Sequence, residues 1–375
     1  MGGTISGVSG LVKLDGWGVE AMTVKRPVAL HLWWPGLSLD TTAKDKKPLE
    51  KQADNRKKLL AEIDEFFDDA EAYAQAKQAG GAAFETVPAW EAMLPFLPGK
   101  KQKPIMAHAD ELRQIKAAVA WAKRRKLRII LAGAKDAWQA ADLLAEEKIP
   151  VIFQHVFTPP ARDFDPHDVH FRAPGLLAEA GVKLAIGMRL GSWTAADQRN
   201  LPYHAAHAVP YGLSRKDALA AITLRPAEML GVDDRLGSLE KGKEATFLAA
   251  AGDILDPRTQ ARHLILAGKP SSLKSRHVKL RDRYARRPSG PALAVEPSAP
   301  LVDPEGNHVL RLNAEGLFNL NGTTVPENQL PAKLQALRGK SLLIRVHSNL
   351  PFAKVAQVMS LAKQAGLRDL RLASE

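Results

Sequence analysis

Cysteine is absent from the 375-residue chain. That excludes disulfide bridges and any zinc or iron–sulfur site built on thiolates. It leaves the redox compartment open, because a chain without thiols is indifferent to it. Long apolar runs are missing too, and no stretch approaches the ~20 residues that a membrane-spanning helix needs. The opening residues, MGGTISGVSGLVKLDGW, hold no basic segment followed by an apolar core. No signal peptide is expected, and the chain as given reads as cytoplasmic. Glycine-rich phosphate loops, a Walker-type lysine motif and a GxSxG elbow are all lacking. The 27 Gly and 25 Pro, with 45% hydrophobic and 25% charged residues, exclude collagen-like and wholly disordered chains. The length allows roughly two or three domains.

Charge is unevenly spread. Lys plus Arg number 53 and Asp plus Glu 41, a net +12. Residues 257–288 hold ten Lys/Arg against the single acid Asp282, so +9 of the excess sits there. Arg276, Lys279, Arg281, Arg283, Arg286 and Arg287 are its candidate binding residues. Tyr284 is the one aromatic in 272–288, so the stacking platform of a single-strand nucleic-acid binder is missing. Nucleic acid is therefore not the expected partner; an acidic protein or a lipid surface is. Pro288, Pro291, Pro297, Pro300 and Pro304 follow, and prolines at that density read as an extended linker. The chain divides into residues 1–270, a basic tail and linker over 271–304, and a small unit over 305–375.

Within the first part, short apolar runs alternate with amphipathic ones. Pro104–His108, Leu127–Leu131, Pro150–Phe153 and Val182–Ile186 read as strands. Between the first two lies a helix with Ile115, Val119 and Ala122 inward and a basic end, Lys123–Lys126. This alternation predicts βαβ units around a parallel sheet, for which a (β/α)₈ barrel and an open doubly wound sheet both suffice. Val28–Trp34 reads as a further strand, and residues 43–80 as a charged, solvated helix with Leu59, Ile63, Phe66 and Phe67 facing inward.

The last 75 residues read as a compact α+β module. Strands are expected at His308–Leu312, Leu317–Leu320, Ser341–Val346 and Leu367–Leu372, with an Asn321-Gly322 turn. Thr324 or Asn328 is expected to cap a helix bearing Leu330, Leu334 and Leu337. Pro351 opens a second helix, whose inner face is Val355, Val358, Met359 and Ala362.

In barrels and doubly wound sheets, sites form at the carboxyl ends of strands. His108 ends PIMAH and is followed by Asp110 and Glu111; His155 ends PVIFQH in the same manner. A mononuclear metal would want three such ligands, and the neighbouring ends, Ala132-Gly133-Ala134 and Gly187-Met188, offer none. His204 and His207 lie three apart, on one helix face, but no Glu of the HExxH kind stands between them. His167 and His170 share a loop with carboxylates, a chemically competent pattern of low specificity.

Three segments carry a resemblance. Asn200–Gly212 (NLPYHAAHAVPYG), Ala218–Gly231 (ALAAITLRPAEMLG) and Arg235–Ala245 (RLGSLEKGKEA) resemble the C-terminal part of the amidohydrolase superfamily, closest to its imidazolonepropionase-like branch. His263–Lys269 resembles the closing strand of that family's small β-sandwich. The resemblance implies a metal-bearing (β/α)₈ barrel, here N-terminally incomplete with a sandwich remnant, that hydrolyses C–N bonds with a metal-activated water. The implied metal is divalent, zinc if the chain is active. The family's ligands are an HxH pair after the first strand, His after the fifth and sixth, and Asp after the eighth. Only the fifth-strand His is matched, as His108, and His155 is the one substitute at hand. The usual GKxAD reads Gly242-Lys-Glu-Ala-Thr246. An impaired or atypical metal site is expected, along with an exposed parallel edge where the barrel starts midway, unless a partner or a further N-terminal segment covers it.

Residues 300–375 carry a second resemblance, through Asn321-Gly322, the Leu-rich helix, Pro351-Phe352-x-x-Val355-x-x-Val358-Met359 and Ala365-Gly366. They resemble the periplasmic domain of the ExbD/TolR family, with His347 where Asp is frequent. That family implies a cell-envelope setting and a homodimer or envelope protein partner through residues 305–375. The transmembrane helix that bears the family's proton-conducting Asp has no counterpart in this sequence. Two functions are thus expected as alternatives: a C–N hydrolase, or a non-catalytic envelope scaffold.

Overall fold

The computed structural model describes residues 4–41, 47–80, 84–189, 191, 197–285, 307–313, 315–347 and 350–374. It divides into two compact units, Met1–Ser275 and Arg276–Glu375. The first unit opens with β1 (Ile5–Val12), α1 (Gly18–Met22) and β2 (Thr23–Trp33). Then come α2 (Leu49–Ala79), α3 (Pro88–Met93), β3 (Ile105–Ala109), α4 (Leu112–Arg125), β4 (Ile129–Gly133) and α5 (Ala141–Glu146). β5 (Val151–Phe153), α6 (Val169–Glu179), β6 (Leu184–Ile186), α7 (Leu201–Ala208), α8 (Arg215–Ala221) and α9 (Leu224–Leu230) follow. β7 (Phe247–Ala250), β8 (Ala261–Leu266) and β9 (Lys269–Ser271) form a small antiparallel sheet.

β1 to β6 lie side by side in chain order, and β2 through β6 run parallel. Alternation along each strand sends successive side chains to opposite faces. Leu30, Leu32, Ile105, Ala107, Ile129, Leu131, Val151, Phe153, Leu184 and Ile186 join one buried cluster with residues of α2, α4 and α6. On the other face Ile130, Ala185 and Ile152 pack on Met229 of α9. A helix layer on one side and a second, smaller apolar cluster on the other explain why these strands read as continuous apolar runs.

Ahead of β3 the sheet continues, while among the described residues β6 ends it on the other side with a parallel pairing to β5 alone. β2 pairs with β3 from Leu30↔Ile105 to Trp33↔His108, and β1 then pairs antiparallel with β2. The strand read as Val28–Trp34 starts earlier, at Thr23, because the chain reverses at Gly16-Trp17-Gly18 and returns along β1. That pairing is irregular, with register shifts at Ile5/Gly7, Ser9/Leu11 and Leu11/Val12.

The long charged helix runs from Leu49 to Ala79, and its acidic half is not simply solvated. Asp64, Asp68 and Glu71, at helical spacing, meet the basic end of α4: Arg125 reaches Asp64 at 3.1 Å, Asp68 at 2.6 Å and Glu71 at 3.3 Å. Trp121 Nε1 donates to Asp64 at 2.9 Å. Ile63 and Phe67 are buried one turn apart, and Phe67 meets Trp121 edge-on at 5.1 Å.

The second unit holds α10 (Arg276–Tyr284), β10 (His308–Leu312), β11 (Phe318–Leu320), β12 (Thr323–Val325), α11 (Leu330–Gln335), β13 (Ser341–Val346), α12 (Phe352–Gln364) and β14 (Asp369–Ser374). Its sheet runs β12-β11-β10-β13-β14, parallel where β13 meets β10 and β14. Leu310, Leu312, Leu342 and Ile344 pack on Leu330, Leu334, Val355 and Val358. Neither Thr324 nor Asn328 caps α11. Thr324 is drawn into β12 opposite Asn319, and Asn328 sits in a 3₁₀ turn, Glu327–Gln329, that precedes the helix.

Phe67→Ala removes a fully buried ring from the α2–α4 seam. It is expected to cost about 3–5 kcal/mol of stability, read by urea denaturation of the full chain.

Candidate active site

The carboxyl ends of β2 and β3 bring His31, Trp33 and His108 together. All three fall on the face away from the helix-packed residues Leu30, Leu32 and Ala107, and register sets Trp33 opposite His108. The Trp33 and His108 rings stack at 3.9 Å and 12°. His31 Nδ1 lies 2.9 Å from His108 Nε2, so one ring donates and the other accepts. Burial, with His31 alongside, lowers the His108 pKa to about 4 from 6.5, against a smaller pull from Asp110. Burial lowers His31 as well. The pair is therefore neutral near pH 7. His31 escaped the sequence reading, although the strand that carries it was recognised; its place at a carboxyl end was the available signal.

A second cluster begins one residue past β3. Asp110 Oδ1 lies 2.8 Å from His155 Nε2. Burial pushes the Asp110 carboxyl up, but the hydrogen bond and charge of His155, aided by the Lys135 N–H and Arg189, hold it below the usual carboxylate range. The ionised carboxylate accepts the Nε2 proton. The other ring nitrogen, Nδ1, lies within hydrogen-bond distance of Thr158 Oγ1 at 3.1 Å. The next imidazole, His170, is bonded through Nδ1 to the Thr158 carbonyl at 2.7 Å, and its Nε2 is buried without a hydrogen-bond partner. His155 is 3% exposed and the Asp110 side chain 48%, so the buried ring holds a carboxylate that solvent reaches. Gly133 makes room for it: its φ is +84°, and a Cβ there would stand 2.5 Å from Asp110 Oδ1.

The remaining candidates lie apart. His167 is exposed and His170 buried, so the loop pair does not converge. His204 and His207 of α7 pack on Phe157 at 4.6 and 4.9 Å in an aromatic cluster with Phe171 and Tyr211. Arg276, Lys279, Arg281 and Arg283 are exposed on α10, with Arg281 turned to Asp282 and Arg283 over Tyr284. Arg286 and Arg287 lie outside the described residues.

Residues 19–275 match the amidohydrolase family and residues 293–375 match the biopolymer transport protein ExbD/TolR family. The first match covers more than half of the sequence, and the chain belongs to the amidohydrolase family. An amidohydrolase from Thermotoga maritima MSB8 is 23% identical over 71% of this chain and 68% of its own, with a TM-score of 0.58. The fold is accordingly a partial (β/α)₈ barrel followed by a small ExbD/TolR-like α+β domain. An adenosine deaminase from Xanthomonas campestris with bound zinc is 23% identical over 45% of each chain, with a TM-score of 0.35. An E. coli guanine deaminase is 17% identical over 45% of this chain and 48% of its own, with a TM-score of 0.31. Both likenesses are too partial to carry an argument. No curated protein matches the chain.

A metal of the kind this family implies does not fit the residues present. Among the described residues, no three His, Asp or Glu side chains are grouped to hold an ion. His108 Nε2 faces His31, and both nitrogens of His155 are engaged by Asp110 and Thr158. The flanking strand ends supply Ala132-Gly133-Ala134 and Gly187-Met188.

Two outcomes follow. The unfolded chain takes up a proton at His108 near pH 6.5, while the folded chain resists until about pH 4. Stability contributed by the neutral ring is thus complete above the first value and falls as pH drops through the window. Asp110, held low, loses its contribution in the same acid direction. His108→Gln should flatten the slope of unfolding free energy against pH across that window. Gly133→Ala must displace Asp110 and strain the backbone, and should lower stability by about 1–3 kcal/mol in thermal melts.

Proposed function

We propose that the chain is a hydrolase of non-peptide C–N bonds that activates water with the Asp110–His155 pair. The observation that carries the reading is the 2.8 Å bond from a buried imidazole to a half-exposed, ionised carboxylate at the carboxyl ends of the strands. His155 orients Asp110 through Nε2–H, and Thr158 holds the ring in place through Nδ1. Asp110 then accepts a proton from water as the water oxygen attacks the substrate carbonyl carbon. When the C–N bond breaks, the leaving nitrogen takes that proton, and a carboxylic acid and an amine depart. The neutral His31–His108 pair, with Trp33 stacked on it, lines the same end of the sheet and supplies one N–H donor or acceptor to a bound ring or amide. A positioned base of this kind is worth about 10²–10⁴ in rate.

A second reading keeps the fold and drops the chemistry: a non-catalytic cell-envelope scaffold. It rests on the likeness of residues 293–375 to ExbD/TolR proteins and on the exposed cations of α10, which suit an acidic partner or lipid headgroups. In that reading residues 305–375 mediate a homodimer or hold an envelope protein.

The two separate on one assay. Purified, chelator-treated full-length chain is expected to hydrolyse members of a panel of linear and cyclic amides. Asp110→Asn should lose about 10²-fold or more in kcat while keeping the wild-type melting temperature within a few degrees, and His155→Gln should lose activity in the same direction. Absence of turnover across the panel, or full activity in Asp110→Asn, overturns the hydrolase reading as stated.

A further inference from the structure

The two most exposed large apolar side chains of the first unit's described residues lie at the turn between β1 and β2. Trp17 is 96% exposed and Leu14 93%, with Val12 and Val19 also exposed. Single exposed Leu residues are ordinary, but an exposed Trp and Leu three residues apart on one tip are not. The turn is built to project them. Gly16 and Gly18, on either side of Trp17, take φ of +124° and +85°, and a Cβ on Gly16 would press on the Ala21 backbone at 3.3 Å. Behind the tip is a groove of about 300 Å³ whose apolar walls include Leu11 and Leu14 from the hairpin and Leu264 and Leu266 from β8, with Lys13, Asp15, Glu244 and Thr246 also lining it. Leu248 of β7, opposite Leu264, extends the apolar wall and is exposed.

Cations rim this surface. Lys13 lines the groove, Lys269 stands opposite Leu266 on the adjacent strand, and Arg262 is exposed on β8. The nearby acids are Asp15, Glu20 and Glu244, and Glu244 is already turned towards Arg235 at 3.7 Å. An apolar tip carrying a Trp and backed by long cationic side chains has the chemistry of the water–bilayer boundary. There the indole ring buries its body while keeping its N–H wet, and Lys and Arg reach the headgroups. We infer that the β1–β2 turn and the adjoining β7–β9 sheet form a docking surface for an anionic lipid bilayer, with Trp17 and Leu14 inserted at the headgroup–acyl boundary.

The test uses the full chain and vesicles of equimolar phosphatidylcholine and phosphatidylglycerol, with pure phosphatidylcholine alongside. Wild type is expected to co-sediment with the anionic vesicles and to be released by salt. Leu14→Ser with Trp17→Ser should weaken vesicle binding by about tenfold or more, as expected when the apolar anchor is lost. Lys13→Glu with Lys269→Glu should abolish the preference for the anionic vesicles while leaving the tip intact. Because the tip residues have little packing to lose, the first pair should keep the wild-type melting temperature, which separates lost docking from lost folding. The inference is overturned if wild type stays in the supernatant, or if the Leu14/Trp17 pair binds as wild type does. It is also overturned if sedimentation velocity shows a dimer that this pair dissolves while vesicle binding is absent, since the surface then belongs to a second copy.

Discussion

The alternation of side chains along β2 and β3 is the constraint on which the candidate site depends. Leu30, Leu32, Ile105 and Ala107 must face the helices, because nothing else buries them. His31, Trp33 and His108 are thereby committed to the opposite face, and the register Trp33↔His108 stacks them. A slip of one residue in either strand would send the imidazoles into the helix layer and leucines to the other face. The burial of the helix-facing residues therefore holds the polar ones in place. The low proton affinity of His108 is a consequence of the same burial, with His31 for a neighbour.

Asp110 and His155 are organised differently, by loops that leave the ends of β3 and β5. Their contact requires Gly133 on the strand between them, since any side chain there would occupy the carboxylate's position. Asp136 shows the same dependence on backbone placement. It is 2% exposed, accepts the Leu112 N–H that opens α4, and is paired with Arg162. One carboxylate is thus sealed into a structural ion pair, and the other, a short distance along the chain, is left half open to solvent. The two carboxylates, alike in residue type, thus differ in access.

Much of the fold was legible from the residues. The strands of the parallel sheet and of the C-terminal module were readable as apolar runs, because they are buried against helices. Boundaries moved by a few residues, as at β2, where the polar stretch Thr23–Lys25 is recruited by pairing with β1. β1 itself was invisible: ISGVSGLV is rich in Gly and Ser, and only its partner makes it a strand. The basic-then-acidic order of α2 looked like a solvated face until α4 supplied the complementary charges. Thr324 had a capping residue's chemistry but was claimed by a sheet edge. At the candidate site, His108 and His155 were singled out from their positions at strand ends. The partners that define them were not: His31 stands 77 residues from His108 and meets it only through sheet pairing, and Thr158 meets His155 through a local turn with no motif of its own.

The irregular pairing of β1 bears on how the chain survives its own synthesis. A parallel sheet ending on β2 would present a straight row of free amides and carbonyls to any other extended chain. β1 covers that row, and its register shifts then bend its own outer edge out of the repeat that another strand would need. A sheet whose first strand is a poor template does not grow from that side. The same small, poorly periodic residues that hid β1 from view leave this edge of the sheet a poor template for another strand.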